Sequence, residues 1–315
     1  MHGWIVLDKS IGLGSTQAVS AVKRALRDGG YPKLKVGHGG TLDPLASGVL
    51  PVAIGEATKL AGRMLDSDKV YAFTIRFGEE TDSLDTEGAV VATSEVLPRL
   101  DEIEAVLARF TGTIDQLPPA FSALKVDGQR AYDLARAGKE VTLATRTVTI
   151  HSLTRHPGLA PGFSEQQLLA PADDRMPKQA RHEEVTLIAQ VSKGTYIRSL
   201  ARDIALALGT VGHVTMLRRL KAGPFGLDSA ISLDKLAEMA KARALEDVTL
   251  PLTAGLDDIP ALPVTPDQAG LLRQGRVLVG IAVDDGQYFA TDAETPVALV
   301  EAKAREVRVV RGFNL

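Results

Sequence analysis

A chain of 315 residues with 45% apolar and 24% charged residues has the composition of an ordinary globular protein and is long enough for two domains. It contains no cysteine, which excludes disulfides and cysteine nucleophiles, and its six histidines lack the three- or four-residue spacing of a helical metal site. No apolar run is long enough for a membrane helix, and the start does not read as a secretion signal, so we expect a cytoplasmic protein without a dedicated metal site.

The net charge of −3 conceals a segregated distribution along the chain. Residues 1–65 hold eight basic against four acidic residues, and residues 191–226 hold six against one. Residues 66–110 hold four basic against eleven acidic, and residues 245–300 hold two against nine. If the basic segments meet in the fold, they form a face that attracts phosphate groups. A solvated mixture of charges is the alternative that this pattern leaves open.

The first elements are predicted to be a strand at residues 3–8 and a helix from Ser15, as its cap, to about Arg27. Between them, KSIGLGS is spaced by glycines and carries Lys9, which suits an anion. It lacks the Gly-Lys-Ser/Thr ending of a Walker loop, which disfavours a small-molecule phosphate enzyme.

Residues 35–48 (KVGHGGTLDPLASG) form the glycine-rich loop around which we expect the chain to be organised. Asp43 followed by Pro44 permits two interpretations. The pair can begin a helix, because the carboxylate caps free N–H groups and proline fits the first turn. Alternatively, Asp43 is a catalytic carboxylate on a loop whose glycines allow another molecule to approach closely. Spacing alone leaves both open.

The middle of the chain alternates between helical and strand patterns. Residues 69–77 alternate as a half-buried strand, which gives Tyr71 a plain role as a core aromatic. Residues 116–131 resemble a hairpin at a sheet edge, and residues 156–182 are predicted to be a mobile surface insert. The other predictions are helices at residues 56–65, 100–110 and 131–137, and strands at residues 89–93, 145–152 and 184–191.

Residues 191–209 (VSKGTYIRSLARDIALALG) carry an amphipathic helix with Arg198 and Arg202 off its apolar stripe. Arg198 is either a solvated helix charge or an arginine that grips a carboxylate or phosphate. A strand at residues 213–223 and a helix at residues 233–242, capped by Ser232, follow. From about residue 259, a short helix and strands at residues 277–283, 288–291, 296–301 and 306–311 predict a small terminal β module.

The stretch GHGGTLDPLASGVLPVAIGEATKL resembles the TruB family of tRNA pseudouridine synthases. Further motifs stand in the family's order over nearly all of residues 3–225. They read GWIVLDK, KVYAFTIRFGEETDSLDTEG, PPAFSALKVDGQRAYDLAR, SKGTYIRSLARDIA and HVTMLRRLKAGPF. One departure concerns the opening, where Ser10 and Gly14 replace the residues expected from the family's Asp-Lys-Pro-x-Gly-x-Thr/Ser-Ser.

The resemblance implies an α+β protein with the pseudouridine synthase fold. We expect a catalytic domain at residues 1–250, with a central mixed, mainly antiparallel β-sheet flanked by helices, and a small PUA-like RNA-binding domain at residues 256–315. The implied reaction converts the uridine at position 55, in the TΨC loop of tRNA, into pseudouridine without a cofactor. The implied partner is the T-arm of tRNA, with no obligate protein partner and a monomeric enzyme.

The resemblance also assigns roles to residues of this chain. It implies that Asp43 is catalytic, that Tyr71 stacks on the target base, and that Arg198 pairs with the catalytic carboxylate. It implies that His38 assists flipping of the base. Weaker assignments around the pocket are Tyr196, Leu217 and Lys9. The main rival function is a non-catalytic tRNA-binding or tRNA-folding protein that uses the same surface.

Overall fold

The structure is a computed structural model, and it describes residues 1–122, 124–126, 128–139, 141–156 and 181–315. The insert predicted at residues 156–182 lies outside the described residues except at its two ends. The chain divides into two compact units. The first comprises Met1–Pro44, Val49–Leu65 and Gly223–Leu315, and the second comprises Leu45–Gly48 and Asp66–Ala222.

The described ranges contain both helices and strands. The helices are α1 (Ser15–Asp28), α2 (Ala61–Asp66), α3 (Leu100–Leu107), α4 (Ala131–Arg136), α5 (Ile197–Ala207), α6 (Leu233–Ala242) and α7 (Pro266–Arg273). Short 3-10 helices occur at Gly55–Leu60, Ala108–Phe110, Leu245–Val248 and Leu252–Gly255. The strands are β1 (Gly3–Lys9), β2 (Val36–His38), β3 (Ser47–Ile54), β4 (Lys69–Phe77), β5 (Glu79–Thr81), β6 (Val90–Thr93), β7 (Gly112–Gln116), β8 (Lys125–Val126), β9 (Gln129–Arg130), β10 (Arg146–Arg155), β11 (Glu184–Val191), β12 (Gly212–Ala222), β13 (Phe225–Gly226), β14 (Leu250–Pro251), β15 (Ala261–Pro263), β16 (Leu278–Val279), β17 (Gly286–Asp292), β18 (Thr295–Lys303) and β19 (Glu306–Gly312).

In the first unit, β1 lies between β14 and β3, and β2 pairs antiparallel with the far part of β3. Helices α1 and α6 pack on these strands. The apolar stripe predicted for α1 is buried against them. The stripe consists of Val19, Val22 and Leu26. The cap predicted for α6 is confirmed, since the Ser232 hydroxyl accepts a hydrogen bond from the Lys235 amide at 3.1 Å.

The cap predicted for α1 is wrong. Gly14 occupies the capping position, and the Gln17 side chain accepts a hydrogen bond from the Gly14 amide at 2.8 Å. Ser15 is the first residue inside the helix, and its hydroxyl instead bonds to the backbone of Leu42. Sequence spacing could not show this, because the competing partner lies 27 residues away.

The terminal β module belongs to the first unit and has a sheet of its own, in the order β15-β17-β18-β19-β16. The strands predicted at residues 288–291, 296–301 and 306–311 are confirmed, while the one predicted at residues 277–283 is reduced to β16. In addition, β15 is a short strand parallel to β17 that Pro260 and Pro263 concealed. The module has a separate apolar core. Its members include Leu262, Leu272, Val297, Val300 and Val307.

In the second unit, the strand order is β12-β4-β11-β10-β7, and β4 lies between two antiparallel neighbours, β12 and β11. The first two residues of β3 pair in parallel with β12, so the sheet is mixed and mainly antiparallel, as expected. Alternate side chains of β4 pack against α5 and α3, which confirms the predicted periodicity. These side chains are Phe73, Ile75 and Phe77.

The hairpin predicted within residues 116–131 is present as β8 and β9, followed by α4, but it forms a two-stranded sheet of its own and not the edge of a larger sheet. Two predicted boundaries move: the helix predicted at residues 100–110 ends as a 3-10 turn, and the strand predicted at residues 145–152 extends to Arg155. None of the helices in the described ranges is long and apolar enough to cross a membrane.

Candidate active site

Asp43 lies half-buried on an irregular loop between β2 and β3. The interpretation of Asp43-Pro44 as a helix start is wrong, because the chain makes one turn there and then enters β3. The Pro44 carbonyl accepts hydrogen bonds from the Gly12 amide at 2.8 Å and from Lys9 Nζ at 3.2 Å. Those hydrogen bonds fix the path of the loop.

Lys9 holds this loop in place through hydrogen bonds of its side chain. Its side chain is fully buried, and Nζ donates to the carbonyls of Ser10 at 2.9 Å, Leu13 at 2.7 Å and Pro44 at 3.2 Å. Three carbonyls match the three N–H donors of an ammonium group. The loop is therefore held firmly although Ser10 stands where the family pattern has proline.

Ser15 holds the same loop one residue before Asp43. Its hydroxyl donates to the Leu42 carbonyl and accepts from the Leu42 amide, both at 2.9 Å. The sequence pattern did not predict this role. The only available signal was the position of Ser15 directly after the glycine-spaced segment, which is equally typical of an ordinary helix cap.

His38 ends β2, where it pairs with Val52. Its Nδ1 accepts a hydrogen bond from the Gly40 amide at 3.4 Å, so the imidazole folds back over the glycine turn that leads to Asp43. Among the residues proposed for the site, Lys9, His38 and Asp43 therefore share one loop system in the first unit.

Tyr71 and Leu217 occupy one face of the second unit's sheet. On β12, Arg219 lies opposite Tyr71 and Leu217 lies opposite Phe73, which makes Tyr71 and Leu217 diagonal neighbours. Both are only partly buried and pack at the margin of the core formed with α5. Tyr71 is thus a core-packing aromatic that is only partly buried.

Arg198 is 7% exposed, so its interpretation as a solvated helix charge is wrong. Its guanidinium donates to the carbonyl of Ser83 at 2.8 Å and to that of Phe121 at 3.0 Å, and it lies 3.3 Å from the Asp85 carboxylate. Asp85 in turn accepts from the Ser83 hydroxyl at 2.6 Å. These contacts fix the plane of the guanidinium and leave it charged.

Gln116 fixes the start of α5, a role that the sequence pattern did not predict. The Gln116 side chain is fully buried and bonds to both backbone groups of Tyr196, accepting from the amide at 2.8 Å and donating to the carbonyl at 3.1 Å. The Arg146 guanidinium lies 5.9 Å from the centre of the Tyr196 ring. Tyr196 therefore stands at a rigid helix start, two residues before Arg198.

Two buried cations lie beside Tyr71 on the same sheet. Arg219 is 1% exposed and Lys69 is 7% exposed, and Lys69 Nζ donates to the Ser67 carbonyl. Burial, together with the charge of Arg219, lowers the pKa of Lys69 to about 8. Lys69 therefore stays mainly protonated at neutral pH, and this part of the sheet remains positively charged.

The candidate residues thus fall into two groups. Lys9, His38 and Asp43 lie in the first unit, and the other candidates lie in the second. The second group consists of Tyr71, Tyr196, Arg198 and Leu217. Among the described residues, no three potential metal ligands cluster closely enough to hold an ion.

Solved structures resemble this chain along nearly its whole length. A crystal structure of the archaeal box H/ACA sRNP Nop10-Cbf5 complex matches with a TM-score of 0.66 at 23% identity, covering 99% of this chain and 86% of that chain. A crystal structure of a Cbf5-Nop10-Gar1 complex matches with a TM-score of 0.68 at 24% identity, covering 99% and 84%. At these identities the similarity shows the fold, a mixed α+β pseudouridine synthase architecture.

Two family models also match. Residues 27–164 match the N-terminal domain of the TruB family pseudouridylate synthases, and residues 198–257 match the C-terminal domain of tRNA pseudouridylate synthase B. Proteins called tRNA pseudouridine synthase B from Novosphingobium aromaticivorans and Zymomonas mobilis are each 60% identical to this chain. Each match covers 100% of this chain, with 98% of the first protein and 96% of the second. The chain belongs to the TruB family of pseudouridylate synthases.

Proposed function

We propose that this protein isomerises uridine to pseudouridine in tRNA, at position 55 of the TΨC loop. Full-length identity of 60% to two proteins called tRNA pseudouridine synthase B is the observation that carries the proposal. The reaction is internal to one nucleotide and needs no cofactor. We further propose that the enzyme is cytoplasmic and monomeric.

We propose Asp43 as the catalytic carboxylate. The reaction breaks the N-glycosidic bond, turns the uracil and rejoins it to the sugar through carbon 5. A carboxylate can act as a nucleophile on the sugar or base, or as a base for a ribose proton. Each role needs an ionised group held still, and the loop braced by Lys9 and Ser15 suits that need. The Arg198 guanidinium would pair with this carboxylate.

The target nucleotide has to leave its stack before the glycosidic bond becomes accessible. We propose that Tyr71 stacks on the everted base, with Leu217 and Tyr196 enclosing it and His38 assisting the flip. The partial exposure of Tyr71, with the partly buried Leu217 as its diagonal neighbour, favours this role. Stacking on an aromatic ring offsets unstacking by roughly 1–3 kcal/mol per base.

RNA is expected to be held through its phosphates by basic side chains of both units. The hairpin of β8 and β9 presents Lys125 and Arg130, both exposed. We also propose that residues 1–250 form the catalytic domain and that residues 256–315 form a PUA-like domain for RNA. The separate core of the terminal module supports this boundary.

The proposed reaction can be tested with purified protein and an unmodified tRNA transcript tritiated at carbon 5 of its uridines. We expect tritium release to approach one equivalent per tRNA without any added cofactor, with pseudouridine mapped to position 55. A transcript with cytidine at that position is the control and should release none. Binding of the tRNA without any release would favour the alternative, a non-catalytic tRNA-binding protein.

Replacing Tyr71 with leucine separates its stacking role from its packing role. We expect Tyr71→Leu to melt close to the wild type, because leucine keeps apolar contact at the core margin. Turnover should fall about 10- to 100-fold, since stacking is worth roughly 1–3 kcal/mol. Phe73→Leu, at a fully buried aromatic of the same strand, is the matched control and should lower the melting temperature more than the rate. A cooperative loss of structure in Tyr71→Leu would instead assign Tyr71 to the core.

A further inference from the structure

The helical stretch that follows β3 carries three charged side chains that the proposed chemistry does not use. Glu56, Lys59 and Arg63 are spaced by three and four residues, which places them on one face of the stretch. The motif that resembles the TruB family runs on through the first two of them, ending in GEATKL. Their partners lie in the terminal part of the chain.

Each of the three side chains bonds to a segment that flanks the terminal β module. Lys59 Nζ donates to the Gly312 carbonyl at 2.8 Å, and the Glu56 carboxylate accepts from the Asn314 amide at 2.7 Å. Lys59 and Glu56 also pair with each other at 2.6 Å. Arg63 Nη2 lies 2.9 Å from both carboxylate oxygens of Asp258.

These contacts hold both ends of the module at one place. Asp258 comes shortly before β15, and residues 312–314 lie at the end of β19 and just beyond it. The module has its own apolar core, and parts with separate cores joined by polar contacts ordinarily move relative to each other. Phe313, buried between the two held residues, donates its amide to the Val297 carbonyl at 2.8 Å. The held segment is therefore continuous with the module's sheet.

The side chains of Glu56 and Lys59 are shielded enough from water for their charges to contribute to these contacts. The side chains of Glu56 and Lys59 are 17% and 30% exposed. Burial alone would raise the pKa of the Glu56 carboxyl, but the hydrogen bonds from Lys59 and from the Asn314 amide hold that pKa below its usual value. The Glu56 carboxylate is thus ionised at neutral pH, and its bonds to the terminal segment are charge-assisted.

We propose that Glu56, Lys59 and Arg63 form a clamp that fixes the terminal module relative to β3, the strand that begins four residues after Asp43. The clamp residues are positioning residues: they set where the module holds a long RNA while the target uridine occupies the site. A short RNA that does not reach the module gains nothing from the clamp. This inference rests on the proposed function, since it assigns the module a share of tRNA binding.

The test compares two substrates in the wild type and in Lys59→Met, which loses the bonds to Gly312 and Glu56. One substrate is the full tRNA transcript, and the other is a short hairpin carrying the target uridine. We expect the KM for tRNA to rise about tenfold with kcat unchanged, because the loss falls on binding. The KM for the hairpin should stay at the wild-type value. Amide hydrogen exchange of Phe313 and Asn314 should become faster.

Two further variants serve as controls. Lys59→Arg keeps a donor within reach of Gly312 and should restore the KM for tRNA. Glu238→Gln breaks an exposed ion pair on α6, Lys235 to Glu238 at 3.0 Å, keeps every basic side chain, and should change neither KM. Arg63→Met releases the other end of the clamp and should repeat the substrate-dependent effect, which keeps the proposal testable if Lys59→Met does not fold.

An equal change of KM on tRNA and hairpin, or no change on either despite faster exchange at Asn314, would overturn the clamp. Failure of the proposed function has a different signature, because the wild type would then form no pseudouridine on either RNA. In that event the ratio of the Kd values for tRNA and hairpin, measured by filter binding, tests the clamp in the same way. An unchanged ratio in Lys59→Met would refute it.

Discussion

Asp43→Asn is expected to abolish pseudouridine formation while leaving tRNA binding nearly intact. The amide has the size of the carboxylate but cannot act as a nucleophile or as a base, so turnover should fall by on the order of 10⁴-fold or more. The loop should keep its course, because Lys9 and Ser15 hold it through the backbone of Pro44 and Leu42. Tritium release from tRNA measures the rate, and filter binding measures the Kd.

Asp28→Asn is the matched control for loss of one negative charge. Asp28 ends α1, and its side chain is 52% exposed. It forms an ion pair with the neighbouring Arg27. Its turnover should equal that of the wild type. Appreciable turnover in Asp43→Asn, with the Kd and the melting temperature preserved, would remove Asp43 from the catalytic role.

Arg198→Lys is expected to reduce turnover about 100-fold or more. The guanidinium presents a planar fork, and two of its nitrogens are already committed to the carbonyls of Ser83 and Phe121. An ammonium group cannot make these bonds and also pair with a carboxylate in fixed geometry. Single-turnover rates at saturating tRNA measure the loss directly, because they exclude changes in binding and in product release.

Arg202→Lys, one helical turn further along, is the matched control. Arg202 pairs with the adjacent Asp203 and donates to the Leu117 carbonyl at 3.2 Å, so its replacement costs similar packing away from the proposed site. We expect a comparable or smaller loss of thermal stability and a single-turnover rate within about threefold of the wild type. Near-normal turnover in Arg198→Lys would exclude that guanidinium from the mechanism.

Periodicity predicted the elements well where one face of an element is buried. The alternation through Phe73, Ile75 and Phe77 located β4, and the stripe on α5 located that helix, because both patterns follow directly from packing against a core. For α1 the helix and its stripe were predicted correctly but the cap was not, since Ser15 was expected to cap the helix and instead bonds to Leu42. Contacts between residues distant in sequence decide such cases.

The candidate residues were named from ordered motifs, whereas local chemistry alone left their roles open. Asp43-Pro44 reads equally well as a helix start, and Arg198 reads as a surface charge, until burial and partners are known. Gln116 gave no signal, because a glutamine at the end of a strand is unremarkable in sequence. Its importance comes from being buried against the backbone of Tyr196, which only the fold determines.

The candidate residues of the two units depend on contacts of very different range along the chain. The loop of Asp43 is tied to Lys9 and Ser15 by bonds that span 35 and 27 residues, whereas Arg198 is tied to segments 115 and 77 residues away. Closing long loops costs more chain entropy and delays their formation during folding. A nascent chain can therefore shape the loop of Asp43 early, while the long-range contacts around Arg198 form only late in folding.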